Sequence, residues 1–372
     1  MNTQTPTPLH SPPSAPPKRS AALDVARALA VIGMIAVNVG PQEADDLLER
    51  IFMLPFGRAS LLFVFLAGIG LGMLTHPAKH RPWRQQWTTL VWRALLLLGF
   101  GLALQPINHG VSVILAVYGV LFLVGIPLTR LRTTVLAWLT GILMLAAPVF
   151  WMGLLVLRGE GFSRAPILLS GNPLGILDGI LVTGPYPALV WIVPLVAGLT
   201  LSRLDLRHRR LQLILLFGGM AAAAGGIVLS RLLAGVTGID PTSGGFARLL
   251  ASYDHSQAPL WLVSGIGSAA AVIGMLLLVE PWLERHALPL VHLGRLSFTM
   301  YVMHLVLLAV FVRPDPHTTG EGIAFAALIS TFCIICAHLW VPARGQGPLE
   351  RLLRLPARLT RRPATISSGH HG

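Results

Sequence analysis

Long apolar blocks alternate with short polar ones along this chain. The blocks fall at roughly 22–40, 58–75, 88–105, 111–128, 134–157, 186–202, 211–235, 260–280, 291–312 and 320–341. Each is near the ~20 residues that a helix needs to cross a hydrocarbon core. Backbone polar groups in lipid must be satisfied within the segment, so such blocks are expected as helices. The pattern predicts an all-α fold, a polytopic transmembrane helical bundle of about ten spans. Residues 158–185 interrupt it with Gly161, Gly171, Asn172, Pro173, Gly175, Gly184 and Pro185, which predicts an irregular or re-entrant stretch. Three regions follow: a disordered tail over 1–18, rich in Pro, Ser and Thr, the helical domain over 19–342, and a basic cytoplasmic tail over 343–372.

Composition supports this reading. Apolar residues make up 54% of the 372 and charged ones only 12%, about half the share of a soluble domain. The net charge of +13 does not point to nucleic acid, because the basic residues sit in short clusters between apolar blocks. With the N-terminus inside, eighteen basic residues fall in inner loops and tails against five in outer loops. That asymmetry predicts both ends in the cytoplasm and a multi-pass protein of the cell (inner) membrane. Lys18 and Arg19 precede the first block as in an uncleaved signal anchor. The tail from Arg344 to Arg362 is basic and amphipathic, suited to anionic lipid.

Five arginines remain inside or at the ends of the blocks: Arg27, Arg58, Arg93, Arg231 and Arg295. Each costs about 2.5–3.5 kcal/mol on insertion scales, so each needs a partner or a wet cavity. Snorkelling at a helix end accounts for Arg231 and is open for Arg93. Asp24 and Arg27, three apart, can pair along the first helix, and Asn38 returns to nearly the same face eleven residues later. In the ninth block Arg295 and Thr299 share one face, while Ser297, Tyr301 and His304 share another. A buried neutral histidine can be purely structural or can move protons.

Asp254-His255-Ser256 lies just before the eighth block, where a histidine suits a general base and is equally a loop residue. His109 is a second loop histidine. Tyr186 and Trp191 read as an interfacial aromatic belt. Gly68 and Gly72 match the small-xxx-small spacing of close helix packing. Cys333 and Cys336, inside an apolar block, read as buried small residues rather than a redox pair or metal site. No zincin motif, phosphate-binding glycine loop or nucleophile elbow is present.

Several stretches taken together resemble the heparan-α-glucosaminide N-acetyltransferase superfamily and its bacterial YeiB-like branch. They are Leu23-Asp24-Val25-Ala26-Arg27-Ala28 with Val37-Asn38, Gly57-Arg58-Ala59-Ser60 with Ala67-Gly68, and Tyr186-Pro187 through Trp191. Ala197-Gly198, Leu204-Asp205-Leu206, His255-Ser256, Gly294-Arg295 with Thr299, Tyr301 and His304, and Gly347-Pro348-Leu349-Glu350 complete the set. The resemblance implies acyl transfer from cytosolic acyl-CoA to an acceptor at or across the membrane, with acyl-CoA as co-substrate and no bound cofactor. The family's eukaryotic members carry an active histidine in the first outer loop. Here that loop, Pro41 to Gly57, has none and offers Glu43, Asp45, Asp46 and Glu49.

On this reading His255, Asp254 and His304 are the catalytic candidates. Asp24, Arg27, Asn38, Arg58, Arg93, Arg295 and Tyr301 are the binding candidates, with Arg27, Arg93 and Arg295 placed for the donor's phosphates. One shared cavity is expected to join the two sets. Expected partners are the lipid bilayer and an unidentified small-molecule acceptor, with a homodimer allowed and nucleic acid excluded. The alternative is a transporter or permease for a small anion, lipid or metabolite, which intramembrane arginines fit equally well.

Overall fold

The structure, a computed structural model, describes residues 19–40, 46–75, 83–107, 110–162, 167, 172–313 and 318–356, with side chains of 83–85 excepted. The tail over 1–18 and the chain beyond 356 lie outside the described residues, as does His109. The described residues are helical, with no strand among them.

The main helices are α1 (Ala21–Val39), α2 (Ala59–Thr75), α3 (Trp83–Leu104), α4 (Leu115–Leu128), α5 (Thr133–Arg158) and α6 (Ala188–Leu201). They continue with α7 (Arg209–Thr237), α8 (Pro259–Leu278), α9 (Leu288–Arg295), α10 (Ser297–Phe311), α11 (Thr319–Arg344) and α12 (Pro348–Leu352). Six are long and apolar enough to cross a membrane, or up to eight if each of two bent pairs is one span. Two further apolar helices, α2 and α4, are 17 and 14 residues long. Large side chains point outward along these helices, Leu157 at 87%, Val236 at 85% and Trp138 at 75% exposure. Water would not tolerate so much apolar surface, and lipid does. This is a multi-pass membrane protein.

α1 is the hub. It packs against α2, α8, α9, α10 and α11, and Ala26, Ala28, Ala30, Val31 and Ile35 are fully buried. Small residues let its neighbours approach. Ser20 caps its start by accepting from the Leu23 N–H at 3.3 Å, and Glu280 accepts from the Ala22 N–H at 3.2 Å and the Ser20 hydroxyl at 2.6 Å. A carboxylate at a helix start satisfies orphan donors and the dipole together.

Gly68 and Gly72 do serve close packing. A Cβ on Gly68 would sit 2.0 Å from the Leu195 carbonyl oxygen, and one on Gly198 would sit 2.0 Å from that of Phe65. α2 and α6 therefore touch backbone to backbone.

One expectation gains detail in the fold and another changes. The stretch 158–185 contains a short helix, Pro173–Asp178, that continues as a π-turn over Gly179–Thr183 and meets α6 at 57°. The ninth block is not one helix. It breaks at Leu296 into α9 and α10, bent by 85°. Face relations reckoned across Arg295 and Thr299 on a single helix therefore do not hold. The break is sustained from a distance, since Glu350 accepts from the Phe298 and Thr299 N–H groups at 2.9 and 3.0 Å.

Candidate functional site

The sequence candidates gather in two places, at opposite ends of α1. At the first, Asp24 is a fully buried carboxylate. It accepts from Arg19 Nε at 2.6 Å and Arg19 Nη2 at 2.8 Å, and from Arg27 Nη1 at 2.6 Å. Arg295 Nε stands 3.7 Å away. Three guanidiniums thus share one carboxylate, which leaves a local excess of positive charge. Gly294 makes this possible, because a Cβ there would lie 1.7 Å from the Asp24 carbonyl oxygen. Only a bare backbone brings α9 close enough to set Arg295 beside α1.

A cavity of about 440 Å³ opens beside this cluster. Among the described residues its charged lining is Arg19, Arg27, Arg93, Arg295 and Arg354 against a single carboxylate, Glu350. Glu350 is engaged elsewhere, by the two N–H groups that start α10 and by the Thr299 hydroxyl at 2.6 Å. The chamber is therefore strongly cationic, of a size and charge that suit a polyanion. Arg19 had been counted as a loop charge and Arg354 as a tail charge. The fold draws both into the chamber.

At the other end of α1, Asn38 Nδ2 lies 3.2 Å from His304 Nε2. Which of the two groups donates depends on the tautomer of the His304 ring. Arg313, just beyond α10, donates to the Asn38 carbonyl at 3.0 Å. His304 on α10 and Arg313 just past its end thus hold Asn38 by side chain and backbone. Replacing Asn38 by alanine removes the amide partner of a fully buried imidazole. The expected cost is about 1–2 kcal/mol, read as a lower unfolding midpoint in detergent.

A small cavity of about 30 Å³, room for about one water molecule, adjoins this pair. Asn38, Ser60, Tyr186, His255 and Tyr301 line it. His255 sits in an aromatic cage, 5.5 Å from Tyr186, 5.9 Å from Trp191 and 6.0 Å from Trp261 between ring centres. Trp191 is 1% exposed, so it belongs to this cage and not to an interfacial belt. The loop that carries His255 is strained. His255 and Gln257 have φ of +54° and +61°, a left-handed backbone that costs non-glycine residues about 1–2 kcal/mol each. Around the ring, the indole nitrogens of Trp191 and Trp261, Ser256 Oγ and Gln257 Oε1 are buried with no hydrogen-bond partner among the described residues.

Asp254 packs against the backbone of Gly57, where a Cβ would meet its Oδ1 at 3.1 Å. Arg58 lines neither cavity and donates to Ser264 Oγ on α8 at 2.9 Å. Cys333 and Cys336 are free thiols, and the described residues contain no cluster of three or more metal-ligating side chains.

The two cavities share no lining residue, so the expected single cavity is replaced by two chambers. Aromatic rings pack beside the smaller one. Phe63 lies between Tyr118, at 5.0 Å, and Tyr301, at 5.9 Å, and the Tyr118 hydroxyl donates to the Phe63 carbonyl. Phe298 lines the cationic chamber and Tyr301 the smaller one. They are three residues apart on α10, a rise of roughly 5 Å.

Comparison with known families divides the chain in two. Residues 19–227 match the family described as "Heparan-alpha-glucosaminide N-acetyltransferase, catalytic". Residues 199–360 match the one described as "Protein of unknown function (DUF418)". No curated protein matches the chain. Asp24, Arg27, Asn38 and Arg93 come from the first match, and His255, Arg295, His304 and Glu350 from the second. Both chambers are built from both halves.

Proposed function

The chain belongs to the heparan-alpha-glucosaminide N-acetyltransferase catalytic family, and from that premise we propose that it transfers an acyl group from cytosolic acyl-CoA to an acceptor at the far side of the membrane. The observation that carries this reading is the five-arginine chamber. Guanidinium pairs bind phosphate by charge and by fixed fork geometry. Arg27, Arg93 and Arg295, joined by Arg19, would hold the phosphates of the donor.

In this reading the Arg27 end faces the cytosol of a bacterial-type inner membrane, both termini are cytoplasmic, and about ten helical segments cross. The basic residues counted along the sequence support that orientation. The outward apolar faces of α5 and α7 serve lipid or a second copy of the chain.

The acceptor would reach His255 at the Asn38 end of α1, where the cavity of about 30 Å³ holds only about one water molecule and would have to widen to admit it. The thioester arm would reach it through the layer of Phe63, Tyr118 and Tyr301. The acceptor's amine or hydroxyl attacks the thioester carbonyl and loses its proton to His255 or Asp254, and the thiolate leaves and takes up a proton as CoA thiol. Aromatic faces attract cations, so the cage would stabilise the imidazolium formed at His255. His304, held by Asn38, would orient the acceptor or relay the proton.

Thermal unfolding of the purified full chain tests the donor. A ligand at a hundred times its Kd adds about 2.7 kcal/mol to stability. Acetyl-CoA should raise the unfolding midpoint of the wild type, and the rise should vanish in Arg27→Ala and Arg295→Ala. Equal rises in all three proteins would remove the chamber from donor binding.

The two chambers, with no lining residue in common, also favour a second reading, a permease for a small anion, lipid or metabolite. Uptake of labelled solute into proteoliposomes without any acyl donor would select it.

A further inference from the structure

The segment after α11 does not leave the bundle. Trp340 Nε1 donates to the Gln346 carbonyl at 3.1 Å, Trp92 Nε1 to that of Leu352 at 2.9 Å, and Arg93 Nε to that of Leu353 at 3.3 Å. The Leu349 N–H donates to Thr299 Oγ1 at 3.3 Å. Between these ties, Glu350 places both carboxylate oxygens on the start of α10. The segment lies across the cationic chamber, and Gly345, Gln346, Glu350, Leu353 and Arg354 form part of its wall.

The fit is tight. A Cβ at Gly347 would come 2.1 Å from Glu350 Oε2 and 2.7 Å from Thr299 Oγ1. Among the described residues that line the chamber, Glu350 is the only carboxylate beside five guanidiniums, and a short strap delivers it. It occupies backbone donors that would otherwise face the chamber. A phosphate has the same charge sign and the same preference for a helix start beside arginines.

We propose that residues Gly345–Arg354 are an autoinhibitory strap, in which Glu350 holds the place of a donor phosphate and is displaced when a diphosphate-bearing donor binds. The donor class rests on the acyl-CoA reading above, whereas the strap itself requires only an anion. Most of its ties are neutral hydrogen bonds of the kind that exchange readily; the charged contacts are those of Glu350 with the start of α10 and of the Arg93 guanidinium with the Leu353 carbonyl. A diphosphate brings more negative charge to the same arginines and N–H groups. When it lands, Glu350 is repelled and the strap lifts. The chamber then keeps Arg19, Arg27, Arg93 and Arg295 and gains the N–H groups of Phe298 and Thr299.

Hydrogen–deuterium exchange on the full chain in lipid nanodiscs tests this, with CoA and inorganic pyrophosphate as separate probes. Saturating CoA should speed exchange across 345–356. Bound CoA that slows exchange there, or leaves it unchanged, overturns the proposal. If CoA does not bind but pyrophosphate still releases the segment, the strap stands and the CoA reading falls. If neither anion changes its exchange, the strap is refuted.

Two variants add the sign. Glu350→Gln keeps one acceptor and loses the charge. Gly347→Ala keeps the charge and unseats the strap. Both should bind pyrophosphate about tenfold more tightly than wild type. Weaker binding by both would make the segment a fixed part of the site and defeat the inhibitory role.

Discussion

Replacing Asp24 by alanine is expected to cost about 3–5 kcal/mol of stability, the range found when one member of a buried charge pair is removed. The carboxylate is fully buried and holds two guanidiniums at 2.6–2.8 Å with a third at 3.7 Å. Without it, three cations converge on one another. Arg19 and Arg295 keep 44% and 40% side-chain exposure and can turn to solvent, which moves the cost toward the lower end. Arg27, at 21%, has less freedom and carries most of the penalty. Asp24→Asn keeps the volume and one acceptor, and should cost less than the alanine. The unfolding midpoint of each variant in one detergent measures this. A loss under about 1 kcal/mol for Asp24→Ala would mean that water already screens the cluster.

Gly294→Ala is the second large effect. The added carbon would lie 1.7 Å from the Asp24 carbonyl oxygen and 2.4 Å from its carbonyl carbon. These are backbone atoms at the hub of the bundle and cannot swing aside. α9 has to back away from α1, at a cost at or above the usual 1–3 kcal/mol of overpacking. The same shift carries Arg295 away from Asp24, so acetyl-CoA stabilisation should fall along with the midpoint. Gly99 supplies the control. It lies inside α3 with nothing within 4 Å of an added Cβ, and Gly99→Ala should stabilise by about 0.5–1 kcal/mol. Similar losses at both positions would sink the close-approach argument.

The helices were legible because lipid imposes one rule on every segment, and each apolar block contains a helix. The pairing of Asp24 with Arg27 was legible because it is local, three residues on one helix. The break at Leu296 was not. The residue there is an ordinary leucine, and the turn is sustained by a carboxylate 54 positions away. Tyr186 and Trp191 misled for a related reason. An aromatic at a helix end looks the same in sequence whether it meets headgroups or encloses a histidine, and only the loop at His255 decides. Arg19 and Arg354 sat in the count that sets orientation, which treats every basic residue as solvent-facing. Glu350 was visible only inside a family motif, since nothing in its own neighbourhood tells which helix start it caps.

The arginine-lined recess has an electrical consequence. A wet space of about 440 Å³ beside α1 shortens the low-dielectric path next to it below the ~30 Å of a hydrocarbon core. A full charge that crosses a membrane exchanges about 2.3 kcal/mol with it for every 100 mV, and more of that exchange falls on the part of the path beyond the recess.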